Sequence, residues 1–393
     1  MPSANASTVP DPILVEGCWP GPLQVLLLHS AIDPHERALE AWREWNRRVD
    51  LEREHVDVGS FRLFPLVYRR LLHAEPSAPH AKRLQGLYKR AWYENQFRLR
   101  AASVALQALA RAGLDAMVLK GVAIAQTYYR DVGSRPMADI DILVRPGSIA
   151  RAIAALAKAG WHVPPDGPRL SDALLRYRKS IVLRRADGME LDLHWAVLDL
   201  RGDENACDSF WAAAVPVSLN RVPMRILCAA DQLLHACAHG LVWNEVSPMR
   251  WIADAMMILE VAGDSMDWER LTSMAIGARV SCYLLAALEY LLDEFGAAVP
   301  DDVIARLRAA PVSLASRRLF ALHTQGGFMR TPRTSVWKFL VCRRRSGLLR
   351  IPSEFLSFLR VALNIESNSD VFVHVLRESL AWANRQIRRP TRI

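Results

Sequence analysis

The chain has 393 residues, of which 51% are hydrophobic and 23% are charged, and its formal net charge is +9. This length exceeds one typical core and suggests two or three domains, and the composition is that of an ordinary soluble globular protein. The start lacks a basic segment followed by an apolar core, which argues against a signal peptide. No uncharged apolar run approaches the roughly 18 residues needed to span a bilayer.

Six cysteines are scattered along the chain without a CxxC pair. This pattern predicts buried, reduced thiols, and we expect a cytoplasmic location. The basic excess is concentrated at residues 343–345 and in the last ten residues, at Arg385, Arg388, Arg389 and Arg392. Such clusters form solvated faces or contact RNA, anionic lipid or phosphorylated ligands, and no RNA-binding signature with interleaved aromatics accompanies them.

In chain order, the segment 1–20 is predicted to be disordered or loosely packed, and the segment 21–113 to be helical. Gly113 ends the last of these helices, because glycine adopts the left-handed conformation that commonly follows a helix. A small mixed α/β unit is predicted over 114–228, and a helical domain over 229–393. The fold class is therefore α+β, with a small mixed sheet between two helical regions.

The mixed unit alternates short apolar runs with glycine and proline turns. We predict, in order, a strand at 116–119, a helix at 122–129, a loop at 131–138, a strand at 139–144, a helix from Ser148 to Gly160, a hairpin of 180–185 with 189–195, and a strand pair of 215–219 with 222–227.

Asp139 and Asp141 are one residue apart in the predicted strand DIDILV, so their side chains point to one face while Ile140 and Ile142 point to the other. Two adjacent carboxylates repel each other unless a cation lies between them. Hard oxygen ligands of this kind suit Mg²⁺ or Mn²⁺. The pair is therefore a candidate metal site.

The second strand of the hairpin repeats this alternation in ELDLHW, where Glu190, Asp192 and His194 share a face. Placed beside the first pair, a third carboxylate would complete a site for two ions about 3.5–4 Å apart, which clamp an in-line phosphoryl displacement. Asp192 has the short side chain suited to a fixed position, whereas Glu190 lies nearer the turn. Both remain open as the third acid.

These motifs resemble the polymerase-β-like nucleotidyltransferase superfamily, and in particular its bacterial nucleotidyltransferase family proteins. The resemblance rests on LKG at 119–121, GSRPMADIDILV at 133–144 and ELDLHW at 190–195, with a weaker continuation to about residue 267. It implies a nucleoside triphosphate donor such as ATP, Mg²⁺ (or Mn²⁺), and release of pyrophosphate. It also implies that Asp139 and Asp141 bind metal and that Asp192 is the third acid, which receives the acceptor's proton.

The superfamily usually places a Gly-Ser pair in the turn after its first strand, with a helix before the two acids. Only four residues separate Ser134 from Asp139, too few for that helix. The equivalent turn is therefore predicted at Lys120, Gly121 and Val122, where Lys120 or Arg135 replaces the missing serine as a phosphate contact. His194 is a further candidate contact for the nucleotide or the acceptor.

The leading hypothesis is a nucleotidyltransferase acting on a small molecule or a peptide. The alternatives are a nucleotide-binding regulatory module with weak turnover, suggested by Val122, and an RNA-directed enzyme, suggested by the basic tail. His235 and His239 have a zinc-compatible spacing, but no glutamate follows His235, which favours a cleft or core position. Arg250, Trp251 and Asp254 form either an acceptor wall or a helix–helix salt bridge with a core indole.

Overall fold

The computed structural model describes residues 18–53, 56–199, 206–242, 249–324, 332–342, 351–365, 367–374 and 376–377. The arginine clusters at 343–345 and 385–392, and residues 1–17 of the segment predicted to be loosely packed, lie outside this range. Cys18, the first residue that the structure describes, is buried. The fold is α+β, as the sequence predicted, with a six-stranded mixed sheet flanked by helices.

Helices precede the first strand. They are α1 (Pro22–Ile32), α2 (His35–Arg48), α3 (Val58–Phe61), α4 (Phe64–Val67), which continues into a π-helical turn (Tyr68–Leu72), and α5 (Ala81–Arg111). Local sequence explains several starts and ends: proline occupies the first turn of α1, the Asp57 carboxylate caps α3 at the backbone N–H of Ser60, and Gly113 follows α5 with a φ of +66°.

The central region supplies all six strands. Its elements are β1 (Met117–Leu119), α6 (Lys120–Ile124) with a π-helical turn (Ala125–Tyr129), β2 (Ile140–Leu143), a 3₁₀ turn (Pro146–Ser148), α7 (Ile149–Ala157), α8 (Asp172–Tyr177), β3 (Ser180–Arg184), β4 (Glu190–His194), α9 (Ala206–Ala212), β5 (Val215–Leu219) and β6 (Val222–Ile226). The predicted strands are thus all present. The strand predicted over 139–144 is shorter, so Asp139 immediately precedes it.

The C-terminal elements are helical. They are α10 (Ala229–Gly240), α11 (Arg250–Ala262) with a 3₁₀ turn (Gly263–Ser265), α12 (Trp268–Gly277), α13 (Ser281–Phe295), α14 (Asp301–Ala309), α15 (Leu314–Thr324), α16 (Pro332–Cys342) and α17 (Ile351–Leu363). No helix within the described ranges has the length and apolar character needed to cross a bilayer. The six cysteines carry free thiols. The domain boundaries at 113 and 228 stay a prediction.

The strand order in the sheet is β3-β4-β2-β1-β6-β5. The central pair, β2 and β1, is antiparallel, whereas β4 runs parallel to β2 and β6 parallel to β1. The two edge strands each form an antiparallel hairpin with their neighbour. Parallel pairing of β4 with β2 matters most for the site, because it brings together two strands that are separated in sequence by helices α7 and α8 and strand β3.

The two faces of the sheet pack differently because side chains alternate along each strand. One face joins a core with α5 and α7 through residues such as Val118, Ile142 and Leu193. The opposite face contributes Met117, Leu119 and Leu143 to a larger core that includes α10 and α11. Asp141 and Asp192 alternate along their strands with Ile142 and Leu193, so they lie on the opposite face and point toward α10 and α11.

Helices α10 and α11 approach each other closely where Gly240 meets Trp251. A Cβ atom on Gly240 would lie 2.1 Å from Cγ of the Trp251 indole, a distance that no side chain tolerates without movement. Glycine at this position therefore permits the contact. The paired helices form one wall of the cleft described below.

Candidate active site

The register between β2 and β4 places the two acidic strands side by side. Asp141 is the direct partner of Asp192, and the neighbouring pair on the same face is Leu143 with His194. Asp141 is only 1% exposed, whereas the side chain of Asp192 is 23% exposed. The structure thus brings Asp141, Asp192 and His194 together: alternation puts each on one face of its strand, and the pairing of β2 with β4 makes the two strands neighbours.

Lys120 and His194 compensate the buried charge of Asp141. The ammonium of Lys120 donates to Asp141 Oδ1 at 2.5 Å, and Nε2 of His194 lies 2.9 Å from the same oxygen. Burial by itself raises the pKa of Asp141, but these two partners outweigh it and hold the pKa well below its ordinary value. Lys120 is buried too, and the nearby carboxylates overcome that burial and raise its pKa.

The donor atoms in this cluster fit a divalent cation. One ligand atom from each of Asp141, Asp192 and His194 lies within 4.8 Å of the others. Oδ2 of Asp141 is buried and has no hydrogen-bond partner, which leaves it free to act as a ligand. Burial and the charge of Asp141 raise the pKa of Asp192, so the charged form of this carboxylate is disfavoured. A bound cation would offset this effect. Carboxylate ligands suit Mg²⁺ or Mn²⁺, whereas imidazole is more typical of metals such as Zn²⁺, so the two carboxylates carry the fit to Mg²⁺ or Mn²⁺.

Asp139 lies at the edge of this cluster and does not belong to its tightest group. It precedes β2 by one residue and lines the same cleft as Asp141 and Lys120. Its charge still reaches the Lys120 ammonium, whose pKa it helps to raise. Its predicted role as a metal ligand stays a prediction.

His194, predicted to contact nucleotide or acceptor, is fully buried beneath the carboxylates. Its Nδ1 has no hydrogen-bond partner, and its Nε2 is directed at Asp141 and lies 3.9 Å from Asp192 Oδ2. This position suits a metal ligand or a support for Asp141 better than direct contact with a substrate.

The predicted phosphate turn follows β1 directly. Lys120 has a φ of +42°, in the left-handed region that a lysine rarely adopts, and such strain often marks a functional position. A side chain at the next residue, Gly121, would be tightly packed: an added Cβ would lie 3.1 Å from Met137 and 3.2 Å from Arg135 Nη1, so these side chains would have to shift. Gly121 therefore keeps the backbone accessible at the side of the cleft.

Arg135 forms a buried ion pair with Asp254 of α11. Its Nε and Nη2 donate to the two carboxylate oxygens at 2.7 Å each, and the Tyr129 hydroxyl donates to the same carboxylate at 2.9 Å. The third guanidinium nitrogen, Nη1, faces Gly121. Arg135 is thus fixed in orientation and presents one nitrogen next to the predicted phosphate turn.

Gly133 and Ser134 belong to the loop that supports the site. Ser134 Oγ donates to Asp131 at 3.1 Å, and Gly133 packs against the Tyr88 ring. The amide of Asn95 on α5 binds the carbonyl oxygen of Arg135 and the backbone N–H of Met137. These contacts agree with the prediction that the Gly-Ser pair is not the phosphate turn.

Glu190 shares the strand face of Asp192 but does not belong to the acidic cluster. It accepts two hydrogen bonds from Arg184 on the neighbouring strand, and both side chains are largely exposed. Of the two acids considered for the third position, Asp192 is therefore the one that the register places beside Asp141.

The cluster opens into a cleft with about 880 Å³ of empty space, part of it open to solvent. One side carries Lys120, Gly121, Asp139 and Asp141. The opposite side is formed by Gln232, His235 and Trp251 of α10 and α11. His235 and His239 line the cleft and belong to no metal-binding group among the described residues. Sequence analysis did not single out Gln232, although its place one helical turn before His235 indicates a shared face.

The profile of a family described as an uncharacterised nucleotidyltransferase matches residues 44–296, which is more than half of the chain. The chain belongs to this nucleotidyltransferase family. The match includes all seven residues predicted for the site and confirms the resemblance at the level of the family. No curated protein matches the chain.

Two solved structures share a low level of similarity with this nucleotidyltransferase-family protein. The solution structure of the antibiotic-resistance factor ANT(2'')-Ia is 16% identical with a TM-score of 0.33, covering 50% of this chain and 96% of that one. A crystal structure of an antigenic nucleotidyltransferase-like protein from Paracoccidioides brasiliensis is 14% identical with a TM-score of 0.33, covering 56% and 94%.

The buried ion pair gives a prediction for stability. Asp254→Asn leaves the guanidinium of Arg135, which is only 4% exposed, without its counter-charge. We expect the free energy of unfolding to fall by about 3–5 kcal/mol, the usual cost of breaking a buried pair. Urea denaturation measures it. The control is Asp208→Asn, which breaks the exposed pair with Arg145 and should cost less than about 1 kcal/mol. Equal losses of stability in the two variants would contradict the prediction that the buried Arg135–Asp254 pair contributes more than the exposed Arg145–Asp208 pair.

Proposed function

We propose that this protein is a metal-dependent nucleotidyltransferase that moves a nucleoside monophosphate from a nucleoside triphosphate to a small-molecule or peptide acceptor and releases pyrophosphate. The observation that carries the proposal is the pairing of Asp141 with Asp192 on adjacent parallel strands, next to the turn at Lys120 and Gly121. Family membership supports the reaction class. The acceptor class is our inference.

The strand order gives the reaction a direction. Lys120 and Gly121 follow β1 on one side of Asp141, and Asp192 stands on β4 at the other side. The donor phosphates would bind at the β1 side, where Gly121 leaves the backbone open and Arg135 presents Nη1. Lys120 would leave Asp141 on donor binding and contact phosphate oxygens. A bound Mg²⁺ or Mn²⁺ would neutralise charge on the phosphates and on the carboxylates.

The acceptor would then approach from the side of Asp192. Its nucleophilic atom bonds to the α-phosphorus, the bond from that phosphorus to the bridging oxygen of the β-phosphate breaks, and pyrophosphate leaves toward Lys120. Asp192 is placed to receive the proton of the acceptor. Beyond β4, residues of β3 and its surroundings line a groove with about 1140 Å³ of empty space, partly solvent, which suits a small molecule or a peptide segment.

A second candidate is a nucleotide-binding regulatory module with weak turnover. It is favoured by Val122, which occupies the place of the usual turn serine and is buried, so this position offers no hydroxyl to a phosphate. The two candidates differ in one measurement. An enzyme releases pyrophosphate when the matching acceptor is added from a panel of hydroxylated, amine and peptide compounds, whereas a module binds the triphosphate without releasing it.

The first functional prediction concerns the paired acids. Asp139→Asn and Asp141→Asn each remove a negative ligand atom, and metal-ion catalysis contributes several kcal/mol, so pyrophosphate release with Mg²⁺ should fall at least about 100-fold. Circular dichroism checks that the fold is retained. The control is Asp187→Asn, which changes an exposed acid in the β3–β4 turn paired with Arg185 and should behave as wild type. Undiminished release by either variant would refute the proposed site.

The second functional prediction concerns the phosphate turn. Gly121→Val pushes a side chain against Met137 and Arg135 Nη1, so triphosphate binding should weaken at least about tenfold through steric exclusion. Ser134→Ala should change binding little, because its hydroxyl contacts Asp131 in the supporting loop. Calorimetric titration of Mg²⁺–ATP into both variants compares them. A larger loss in Ser134→Ala would move the phosphate turn to residues 133–134.

The third functional prediction separates Asp192 from Glu190. A positioned base commonly contributes about 10²–10⁴ in rate, so Asp192→Asn should reduce turnover by that factor while triphosphate binding largely survives. Glu190→Gln is the matched control on the same strand and should stay near wild type, because its carboxylate pairs with Arg184. Pyrophosphate release and nucleotide affinity are measured side by side. The reverse ranking would assign the third acid to Glu190.

A further inference from the structure

Helix α10 presents two buried polar side chains to the cleft. Gln232 is fully buried and His235 is 2% exposed, and both line the cleft opposite Lys120 and Gly121. Neither end of the Gln232 amide and neither ring nitrogen of His235 has a hydrogen-bond partner. Native proteins pair nearly all buried polar groups, because an unpaired one costs stability. Unpaired groups in a cleft therefore point to a ligand that completes them.

The unpaired groups of this wall are neutral, although Arg62 and Arg250 also line the cleft. The carboxamide of Gln232 offers a donor next to an acceptor. Burial, reinforced by the nearby Lys120, holds the pKa of His235 well below its ordinary value, so its ring carries one donor and one acceptor without charge. Trp251 adds an indole N–H that also has no partner. A phosphate would prefer the cationic groups across the cleft, so this wall suits the uncharged half of a nucleotide.

We propose that Gln232 recognises the base edge of the donor nucleotide, with His235 contacting the nucleoside beside it. The inference rests on the proposed function. A base edge carries an adjacent donor and acceptor, the pattern that a glutamine amide matches with two hydrogen bonds. The acceptor is a poorer match, because the groove beyond β4 is lined by other residues and Gln232 is not among them.

The polar atoms of Gln232 and His235 are covered in this conformation, as is Oδ2 of Asp141. A nucleotide that contacts any of these atoms has to displace the groups that cover them.

Because the Gln232 amide has no hydrogen-bond partner, its orientation is not fixed, and this affects which bases it can bind. Amino-type and keto-type edges present the donor and the acceptor in opposite order. No neighbour fixes which way the Gln232 amide faces, so it can turn over and match either order. We expect the four nucleoside triphosphates to bind within about tenfold of one another.

The test compares ligands with and without a base. Calorimetry on the full chain measures the affinity for Mg²⁺–ATP, Mg²⁺–GTP, Mg²⁺–CTP and Mg²⁺–UTP, and for Mg²⁺–tripolyphosphate, which has phosphates alone. Gln232→Leu should weaken all four nucleotides about three- to tenfold, the effect of one or two neutral hydrogen bonds, and leave tripolyphosphate unchanged. Gln107→Leu, a change on the exposed surface of α5, is the control and should alter neither.

Stability is followed alongside affinity. Leucine removes buried polar atoms that have no partner, so Gln232→Leu without ligand should be at least as stable as wild type in a thermal melt. His235→Phe, which keeps a ring and removes both nitrogens, should likewise weaken the nucleotides and spare tripolyphosphate.

The outcomes are distinct. Unchanged nucleotide affinity in Gln232→Leu and His235→Phe would overturn the proposed base contact. Equal losses of affinity for nucleotides and for tripolyphosphate would also overturn it, because the two side chains would then only support the shape of the cleft. Either result leaves the proposed function standing if wild type binds both ligands. A wild type that binds neither ligand overturns the donor site itself and the inference with it. A strong preference for one base would refute the freely turning amide.

Discussion

Two carboxylates side by side on a buried sheet face are the constraint on which this site depends. Asp141 and Asp192 are partners across β2 and β4, and each disfavours the charge of the other. In this structure the Lys120 ammonium and the His194 ring bind Asp141 and supply the compensation. The arrangement therefore favours positive charge at this position, whether from a lysine or from a divalent cation, and this preference underlies the proposed chemistry.

Hydrogen bonds from two helices fix the loop before β2, residues 131–138. Asn95 of α5 binds its backbone at Arg135 and Met137, and Asp254 of α11 fixes the Arg135 guanidinium. Arg250 of α11 adds a hydrogen bond to the carbonyl oxygen of Pro136. One helix before the sheet region, α5, and one after it, α11, thus set the position of the loop that leads to Asp139 and Asp141. Arg250 and Asp254 contact this loop, and Trp251 packs against Gly240. All three residues also line the cleft, so their role as an acceptor wall stays a prediction.

The cleft has two chemically different sides. The sheet side carries ammonium, guanidinium and carboxylate groups that suit phosphates and metal. On the helical side, Gln232, His235 and Trp251 offer an uncharged amide, imidazole and indole, and Arg62 and Arg250 also line the cleft. A nucleotide has the same division between a charged triphosphate and a neutral nucleoside. The two sides come from separate parts of the chain, since the sheet supplies one and the helices after residue 228 supply the other.

The sequence by itself determined the features that depend on neighbouring residues. Alternation in ELDLHW and the turn around Gly188 indicated the hairpin of β3 and β4, and the spacing of Asp139 and Asp141 indicated a shared face. The short distance from Ser134 to Asp139 also argued against the Gly-Ser pair as the phosphate turn, which stays a prediction. The hairpin is confirmed, because strand periodicity and turn chemistry are local properties.

Only the tertiary structure decided which distant residues meet. The parallel pairing of β4 with β2, which selects Asp192 over Glu190, depends on how the whole sheet assembles. Arg135 and Asp254 are 119 residues apart, and no periodicity relates them. Gln232 looks like an ordinary helical residue until α10 is placed across the cleft. Local patterns fix which way a side chain points from its own element, whereas long-range packing fixes what lies opposite.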